Sequence, residues 1–228
     1  MNALYHTRQA PKTARRRAFT LAELVLALAT TALVGTAVAA MSMALSTAGQ
    51  TSRDRQLCMQ EARVAVRRLE DYVRKAKLAT ACDSRTVSLW MTDANGDGQI
   101  NMSEMGVIQW NPATGDVSLH QIVYPSSWPQ WLVSMMNYTA DLYFFVGVNN
   151  ATANVTSSYY SQATPLASNV TSFRISATPT PPASNLVSIQ MTLGSGSEAV
   201  TLRTAVRIRG DKTACVYSSG GLFYLVGS

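Results

Sequence analysis

The N-terminal region contains the sequence Arg15-Arg16-Arg17-Ala18-Phe19-Thr20-Leu21-Ala22-Glu23-Leu24, and an apolar run follows it to about Leu45. Between Phe19 and Leu45 the one ionisable side chain is Glu23. A helix over this range would be about 40 Å long, which is enough to cross a hydrocarbon core of ~30 Å. Because arginines precede the run and none follows it closely, we expect a single-pass membrane protein, with its N-terminus cytoplasmic and its remaining chain outside.

The basic charge of the chain is concentrated in its leader. Five of the 19 basic residues precede Phe19 without any acid among them, so the remaining 14 face 13 acidic residues. The chain beyond Phe19 therefore has almost no net charge with which to attract polyanions, and we expect no nucleic-acid partner for it.

Three interpretations of the apolar segment are open. Ala37-Val38-Ala39 before Ala40 fits the cleavage pattern of a secretory signal peptide, although the run is longer than the ~7–15 residues usual for such a signal. A plain signal anchor would tolerate Glu23 near the interface. Neither gives that carboxylate a purpose, although an intramembrane acid costs a few kcal/mol and needs a partner.

The third interpretation rests on Arg17-Ala18-Phe19-Thr20-Leu21-Ala22-Glu23-Leu24, which resembles the processing site of type IV pilins and type II secretion pseudopilins. The resemblance implies that prepilin peptidase cuts between Ala18 and Phe19 and methylates the new amino group of Phe19. It also implies that Glu23, fifth in the mature chain, pairs with the α-ammonium of a neighbouring subunit during assembly. The family usually has glycine before the cut, where this chain has Ala18.

Helical periodicity continues after the apolar run. We expect an amphipathic helical stalk over residues 46–80, in which the polar stretch 46–52 favours a bend or local melting of the helix. Its apolar face recurs at spacings of three and four, at Cys58, Ala62, Ala65, Leu69, Tyr72, Ala76 and Ala79.

Residues 81–228 predict a β-rich domain. Short alternating runs predict strands over 86–91, 107–110, 117–123, 141–148, 170–175, 186–193, 199–208 and 222–226. Residues 111–115 and 194–197 predict hairpin turns, and residues 149–167 and 178–185 predict loops. We expect Val187, Ile189, Met191 and Leu193 to share a buried face, opposite Val200, Leu202, Thr204 and Val206. The predicted fold is α+β, with the long N-terminal helix packed on an antiparallel sheet.

Residues 93–104 match the twelve-residue calcium loop of EF-hands, D-x-[DN]-x-[DN]-G-x₅-E. Calcium prefers six to eight oxygen ligands, and this loop offers side-chain oxygens at positions one, three, five, nine and twelve and a backbone carbonyl at position seven. The predicted Ca²⁺ ligands are Asp93, Asn95, Asp97, Gln99 (through its carbonyl), Asn101 and Glu104. Gly98 stands at the turn position, and Ile100 is expected to point inward.

The calcium loop is flanked by strand-like sequences, with at most a helical turn around residues 103–105. Because it lacks the helix pair that opens in a sensor, a structural calcium role is favoured over a switch. The alternative is an Asp/Asn/Gly-rich turn that binds nothing.

Three cysteines allow at most one intrachain disulfide. On one continuous helix Cys58 and Cys82 would be about 36 Å apart, far beyond the ~7 Å limit between bridged Cα atoms. We expect a Cys82–Cys215 disulfide, with Cys58 free.

No Ser/His/Asp or Cys/His constellation and no glycine-rich phosphate loop can be made out, so we expect no enzyme. The expected function is a pilin-like filament subunit, whose size and strand-rich C-terminal half loosely resemble the minor pseudopilins of the J class. The expected partners are prepilin peptidase, other pilin or pseudopilin subunits and the inner membrane. Two alternatives remain: an adhesive or DNA-uptake minor pilin, and a calcium-binding surface protein that never polymerises.

Overall fold

In the computed structural model the chain divides into two units, Met1–Gln50 and Thr51–Ser228. The structure describes residues 20–137, 152–194 and 199–210 with their side chains, and residues 216–219 and 222–225 by their backbone. One long helix and antiparallel strands make up most of the described chain, which confirms the α+β class.

The first helix, α1, spans Leu21–Lys75. Its residues 21–50 are all exposed, and among the described helices it is the one that is long and apolar enough to cross a membrane. The apolar helix of a signal sequence near an N-terminus would also be long and apolar enough. The helix is continuous through residues 46–52, so the local melting considered there is not observed, and a polar side chain is accommodated within the helix: Thr47 Oγ1 donates back to Met43 O at 2.9 Å.

The second part of α1 buries one face. Ala62, Ala65, Leu69 and Val73 are at most 3% exposed and recur at helical spacing. The helix ends at Lys75, so the predicted end at residue 80 was wrong. Ala79 is buried as expected, but it belongs to strand β1, because the chain after Lys75 starts to pair with the next strand: Lys77 N donates to Trp90 O at 2.7 Å.

In the described residues after α1 there are ten strands and a helix α2, besides a 3₁₀ turn at Met102–Glu104 and a helical segment at residues 152–157. Their bounds are β1 Leu78–Cys82, β2 Thr86–Trp90, β3 Met105–Asn111, β4 Asp116–Ile122, α2 Gln130–Met136, β5 Ser161–Ala167, β6 Val170–Thr178, β7 Leu186–Leu193, β8 Val200–Arg207, β9 Val216–Ser219 and β10 Leu222–Leu225. A five-stranded sheet has the order β1-β2-β3-β4-β5, a three-stranded sheet has the order β6-β7-β8, and β9 pairs with β10. All these pairs are antiparallel. The chain therefore has more than the one sheet that was predicted.

The two faces of the five-stranded sheet belong to two different apolar clusters. Val87, Leu89, Ile108 and Leu119 join the buried face of α1 and the inner face of β6-β7-β8. On the opposite face, a smaller cluster gathers around Trp90 and includes residues of the loop before β3. Because side chains alternate along each strand, adjacent residues such as Leu89 and Trp90 serve different clusters.

The register of β7 and β8 is the predicted one. Val187 pairs with Val206, Ile189 with Thr204, Met191 with Leu202 and Leu193 with Val200. The hairpin turn at residues 111–115 is also confirmed: Asn111 pairs with Asp116, and Gly115 has φ +74°. The turn predicted at 194–197 lies largely outside the described residues.

The prediction of a loop over residues 149–167 was wrong for most of the described part of that range, residues 152–167. Residues 152–157 are helical, and residues 161–167 form β5, which pairs with β4. Four consecutive residues of β5 are exposed, so this edge strand shows no alternation by which the sequence could have revealed it. The strand predicted at 141–148 lies outside the described residues.

Candidate functional site

The predicted calcium-binding loop, residues 93–104 and called the calcium loop below, lies between β2 and β3 and is closed at its base. Met91 N donates to Glu104 O at 2.9 Å, and a 3₁₀ turn, Met102–Glu104, leads into β3. Ile100 is 2% exposed and Met102 is 3% exposed in the cluster around Trp90. The predicted inward position of Ile100 and the short helical turn are thus confirmed, and two apolar side chains hold the loop on the sheet.

Two glycines shape the turn inside the calcium loop. Gly96 has φ +72° and Gly98 has φ +70°, and open space surrounds the position that a Cβ would take on either of them. The requirement for glycine therefore lies in the backbone conformation and not in crowding. The turn brings Gly98 N to 3.3 Å from Asp93 Oδ1, so the sixth position hydrogen-bonds to the first.

Asp97 is the centre of the polar network in the calcium loop. Its Oδ2 accepts from the side-chain amides of Asn95 at 2.6 Å and Asn101 at 3.2 Å, and its Oδ1 accepts from Gln99 N at 2.7 Å. Desolvation raises the pKa of Asp97, but the hydrogen bonds from Gln99, Asn101 and Asn95 outweigh it and hold the pKa below its ordinary value. The carboxylate is therefore ionised, as a cation ligand must be.

Glu104, at the twelfth position, is 3% exposed and reaches back to the start of the loop. Its Oε1 accepts from Ala94 N at 2.8 Å. Its Oε2 accepts from Trp90 Nε1 at 3.3 Å and from Asn101 N at 3.4 Å. The carboxylate at the twelfth position is thus oriented by backbone donors near both ends of the loop, Ala94 and Asn101, and by the side chain of Trp90 in the preceding strand.

Lys77 is a neighbour of the loop that sequence reasoning missed. Its Nζ lies 3.5 Å from Asp93 Oδ2 and 5.2 Å from the centroid of the Trp90 ring. Pairing of β1 with β2 places it there, and no motif in the sequence links it to a loop 16 residues further on. Its single positive charge opposes three loop carboxylates, so an excess of negative charge remains at the loop.

The donor chemistry of the loop fits calcium, provided that amide and carbonyl oxygens take part. In the described part of the chain, no three His, Cys, Asp or Glu side chains form a group that could hold a metal ion by themselves. The side-chain amides of Asn95 and Asn101 point their NH₂ groups at Asp97, and rotating either amide by 180° would present its oxygen instead. Carboxylate, amide and carbonyl oxygens are the ligands that Ca²⁺ takes.

The acidic residue at the start of α1 has a local partner. Glu23 Oε2 accepts from Thr20 N at 3.0 Å and from Thr20 Oγ1 at 3.1 Å, and Glu23 N lies 3.3 Å from the same hydroxyl. This is the reciprocal arrangement of a capping box, whose signature Thr-x-x-Glu could have been read from the sequence. Ala18 and Phe19, the predicted cleavage pair, lie outside the described residues.

The predicted disulfide stays a prediction, because Cys215 lies outside the described residues. Among the described residues, Cys58 and Cys82 form no disulfide with each other. Cys82 ends β1 and is half-buried, and its burial and then the charge of Asp83 raise the pKa of its thiol to about 11.

Comparison of the chain with protein-family models, with curated proteins and with solved structures gives no significant match.

Proposed function

We propose that this chain is a pilin-like subunit of a type II secretion or type IV pilus filament, of the minor pseudopilin kind, and that it carries a structural calcium ion. The observation that supports the proposal most is the helical segment 21–45, which exposes apolar side chains all round and contains one carboxylate, in its first turn. Such a segment needs lipid or other helices around it. The carboxylate then needs a positive charge.

In this proposal prepilin peptidase cuts after Ala18, and the new α-ammonium of Phe19 neutralises Glu23 of an adjacent subunit. The capping hydrogen bonds from Thr20 orient the carboxylate but leave its charge uncompensated. Head-to-tail contacts of this kind repeat without closing, and so they build an open helical fibre.

Mass spectrometry of the mature N-terminus tests the processing step. The proposal expects N-methylated Phe19. A mature chain that starts at Ala40 would identify a secreted protein, and an uncut chain would identify a simple anchor. Either result would contradict the proposal.

A pair of variants separates the charge of Glu23 from its capping role. Glu23→Gln keeps a side chain that can accept the hydrogen bonds of a capping box but removes the charge. Thr20→Val removes the capping hydroxyl and keeps the charge. We expect Glu23→Gln to abolish co-assembly in membranes and Thr20→Val to retain it, as measured by cross-linking of adjacent subunits. The reverse result would make Glu23 a helix cap and nothing more.

For the calcium loop, we propose a stabilising role. A bound ion would replace the internal hydrogen bonds of Asn95 and Asn101 with ligand bonds and fix the loop on the cluster around Trp90. Outside the cytoplasm, where calcium is abundant, a modest affinity suffices for this role. The proposed ion thus belongs to the folding of Thr51–Ser228 and does not depend on filament assembly.

A further inference from the structure

The outward face of the three-stranded sheet β6-β7-β8 is rich in arginine. On β8 and just beyond it, alternate residues are exposed, and three of these five are arginines: Thr201, Arg203, Ala205, Arg207 and Arg209. Alternation places their side chains on the face opposite to the buried Val200, Val206 and Ile208.

The arginine face continues across the sheet to β6. Arg174 is exposed and pairs with Gln190 of β7, which pairs in turn with Arg203 of β8. Two strand spacings of ~4.8 Å separate these arginines by about 10 Å at the backbone. A surface cavity of about 440 Å³ lies between them, with Ser176 and Ser188 on its lining and without any carboxylate among its described residues.

A second cavity, of about 480 Å³, lies where β8 ends beside the end of α1. Its lining includes Arg74 of the helix, Arg207, Arg209 and Asn185, and again no carboxylate among the described residues. Arg174, Arg203, Arg207 and Arg209 together are called the arginine face below, and Arg74, on the helix that packs against the other side of the sheet, borders this face through the second cavity. From Arg203 to Arg209 the arginine face extends about 20 Å along the strand, at ~3.3 Å per residue.

None of these arginines has an acidic partner in the described part of the chain. The salt bridge found there joins Lys77 to Asp93. Glu70 of α1 instead accepts a hydrogen bond from Thr204 Oγ1 at 2.5 Å, and alternation puts Thr204 on the opposite side of the strand from Arg203. The arginine face thus presents uncompensated positive charge, although the chain beyond the leader is nearly neutral.

Against the expectation drawn from the net charge of the chain, we propose that the arginine face binds the phosphate backbone of double-stranded nucleic acid. Arginine, serine, threonine and glutamine are the side chains that hydrogen-bond to phosphate oxygens, and they make up most of the described face. About 20 Å along the β-strand spans roughly six base pairs of a duplex, at 3.4 Å of helix axis each. Because the contacts go to phosphates, binding is independent of sequence.

The same surface fits other partners less well. A protein partner needs apolar or aromatic anchors in the centre of its interface, and Leu186 is the one large apolar side chain that the described face exposes. A single-stranded nucleic acid needs aromatic side chains on which its bases stack, and the described face has none. A duplex needs neither.

This binding site does not depend on filament assembly, and the full chain in a non-ionic detergent tests it. The affinity for a random-sequence duplex about three helical turns long is measured by fluorescence anisotropy between about 50 and 200 mM salt. The variant Arg174→Gln/Arg203→Gln/Arg207→Gln removes three charges from the arginine face. The control Arg53→Gln/Arg55→Gln/Arg63→Gln removes three exposed charges from α1. Both retain the leader arginines.

We expect the face variant to reduce the slope of log K against log salt by about 1 for each arginine and to weaken binding at the lowest salt by on the order of tenfold or more. The control should change both by much less. Equal losses in the two variants, or absence of duplex binding by the native chain, would overturn the proposal. So would an equal, face-dependent affinity for polyglutamate or for vesicles of anionic phospholipid, since these would identify a carboxylate partner or a lipid surface. None of these outcomes bears on mass spectrometry of the mature N-terminus, which is the measurement that tests filament processing.

Discussion

The two parts of α1 show how one helix can serve two purposes. Residues 21–50 are exposed throughout, including Leu33 at 71% and Val38 at 59%, whereas the part after Thr51 buries a face that includes Leu69 at 0%. The first part is apolar all round, and the second part alternates apolar and charged residues at helical spacing. A helix that is apolar all round needs a surrounding apolar phase, and one with a single apolar face needs only one packing surface.

A leucine-to-alanine substitution in each part of α1 tests this contrast and should give the largest effect. Leu69→Ala leaves a cavity in the main core and should lower the free energy of unfolding by about 2–5 kcal/mol. Leu33→Ala should change the same quantity by less than about 0.5 kcal/mol. Denaturant unfolding of the full chain in detergent, followed by tryptophan fluorescence, measures both. Similar losses would show that the two parts are not distinct in packing.

Calcium should stabilise the second unit alone. At a free calcium concentration of about 100 times the dissociation constant, binding contributes about 2.7 kcal/mol, or a rise in Tm of roughly 5–10 °C. Asp93→Asn and Glu104→Gln should remove most of this rise because each removes a carboxylate ligand. Asp71→Asn, an exposed acid on α1, is the control and should keep it. A native Tm that is the same in calcium and in chelator would refute the role of the ion.

A glycine-to-alanine substitution should destabilise the calcium loop but stabilise the first part of α1. Gly98→Ala forces a side chain into φ +70° and should cost about 1–2 kcal/mol in the unfolding of Thr51–Ser228. Gly49→Ala lies in helical backbone with open space around it and should favour the helix by about 1 kcal/mol. Thermal unfolding measures the first change and helix content by far-UV circular dichroism the second. A Gly98→Ala chain of native stability would mean that the loop can turn differently.

The smallest effect concerns the thiol of Cys82. With its pKa raised to about 11, the reduced thiol should react slowly with iodoacetamide at pH 8 and faster as the pH approaches 11. The stability that its protonation provides is present below its unfolded pKa and is lost as the pH rises through the folded value. Non-reducing peptide mapping distinguishes this state from the predicted Cys82–Cys215 disulfide, in which Cys82 would not react until it is reduced. Two free thiols at Cys82 and Cys215 would refute the disulfide.

Local signals explain what could be predicted of the fold and the site. The register of β7 and β8 follows from strict alternation in both strands, and the calcium loop follows from a motif contained in twelve residues. The end of α1 and strand β5 were missed because alanines suit a helix or a strand, and because an edge strand can pair through its backbone without an apolar face. Lys77 reaches Asp93 only through strand pairing, so no local pattern could have indicated it.

The sequence by itself determined the apolar segment with its lone Glu23, the concentration of net charge before Phe19 and the order of oxygen donors from Asp93 to Glu104. These features are read from residues that are close along the chain. Only the tertiary structure decided which face of the sheet supports the calcium loop and which arginines share a surface. Arg74 and Arg209 line one cavity although they lie 135 positions apart in the chain, because the end of α1 lies beside the end of β8 in the folded domain. Net charge is a sum over the chain, whereas the attraction that a partner meets depends on where the charges lie.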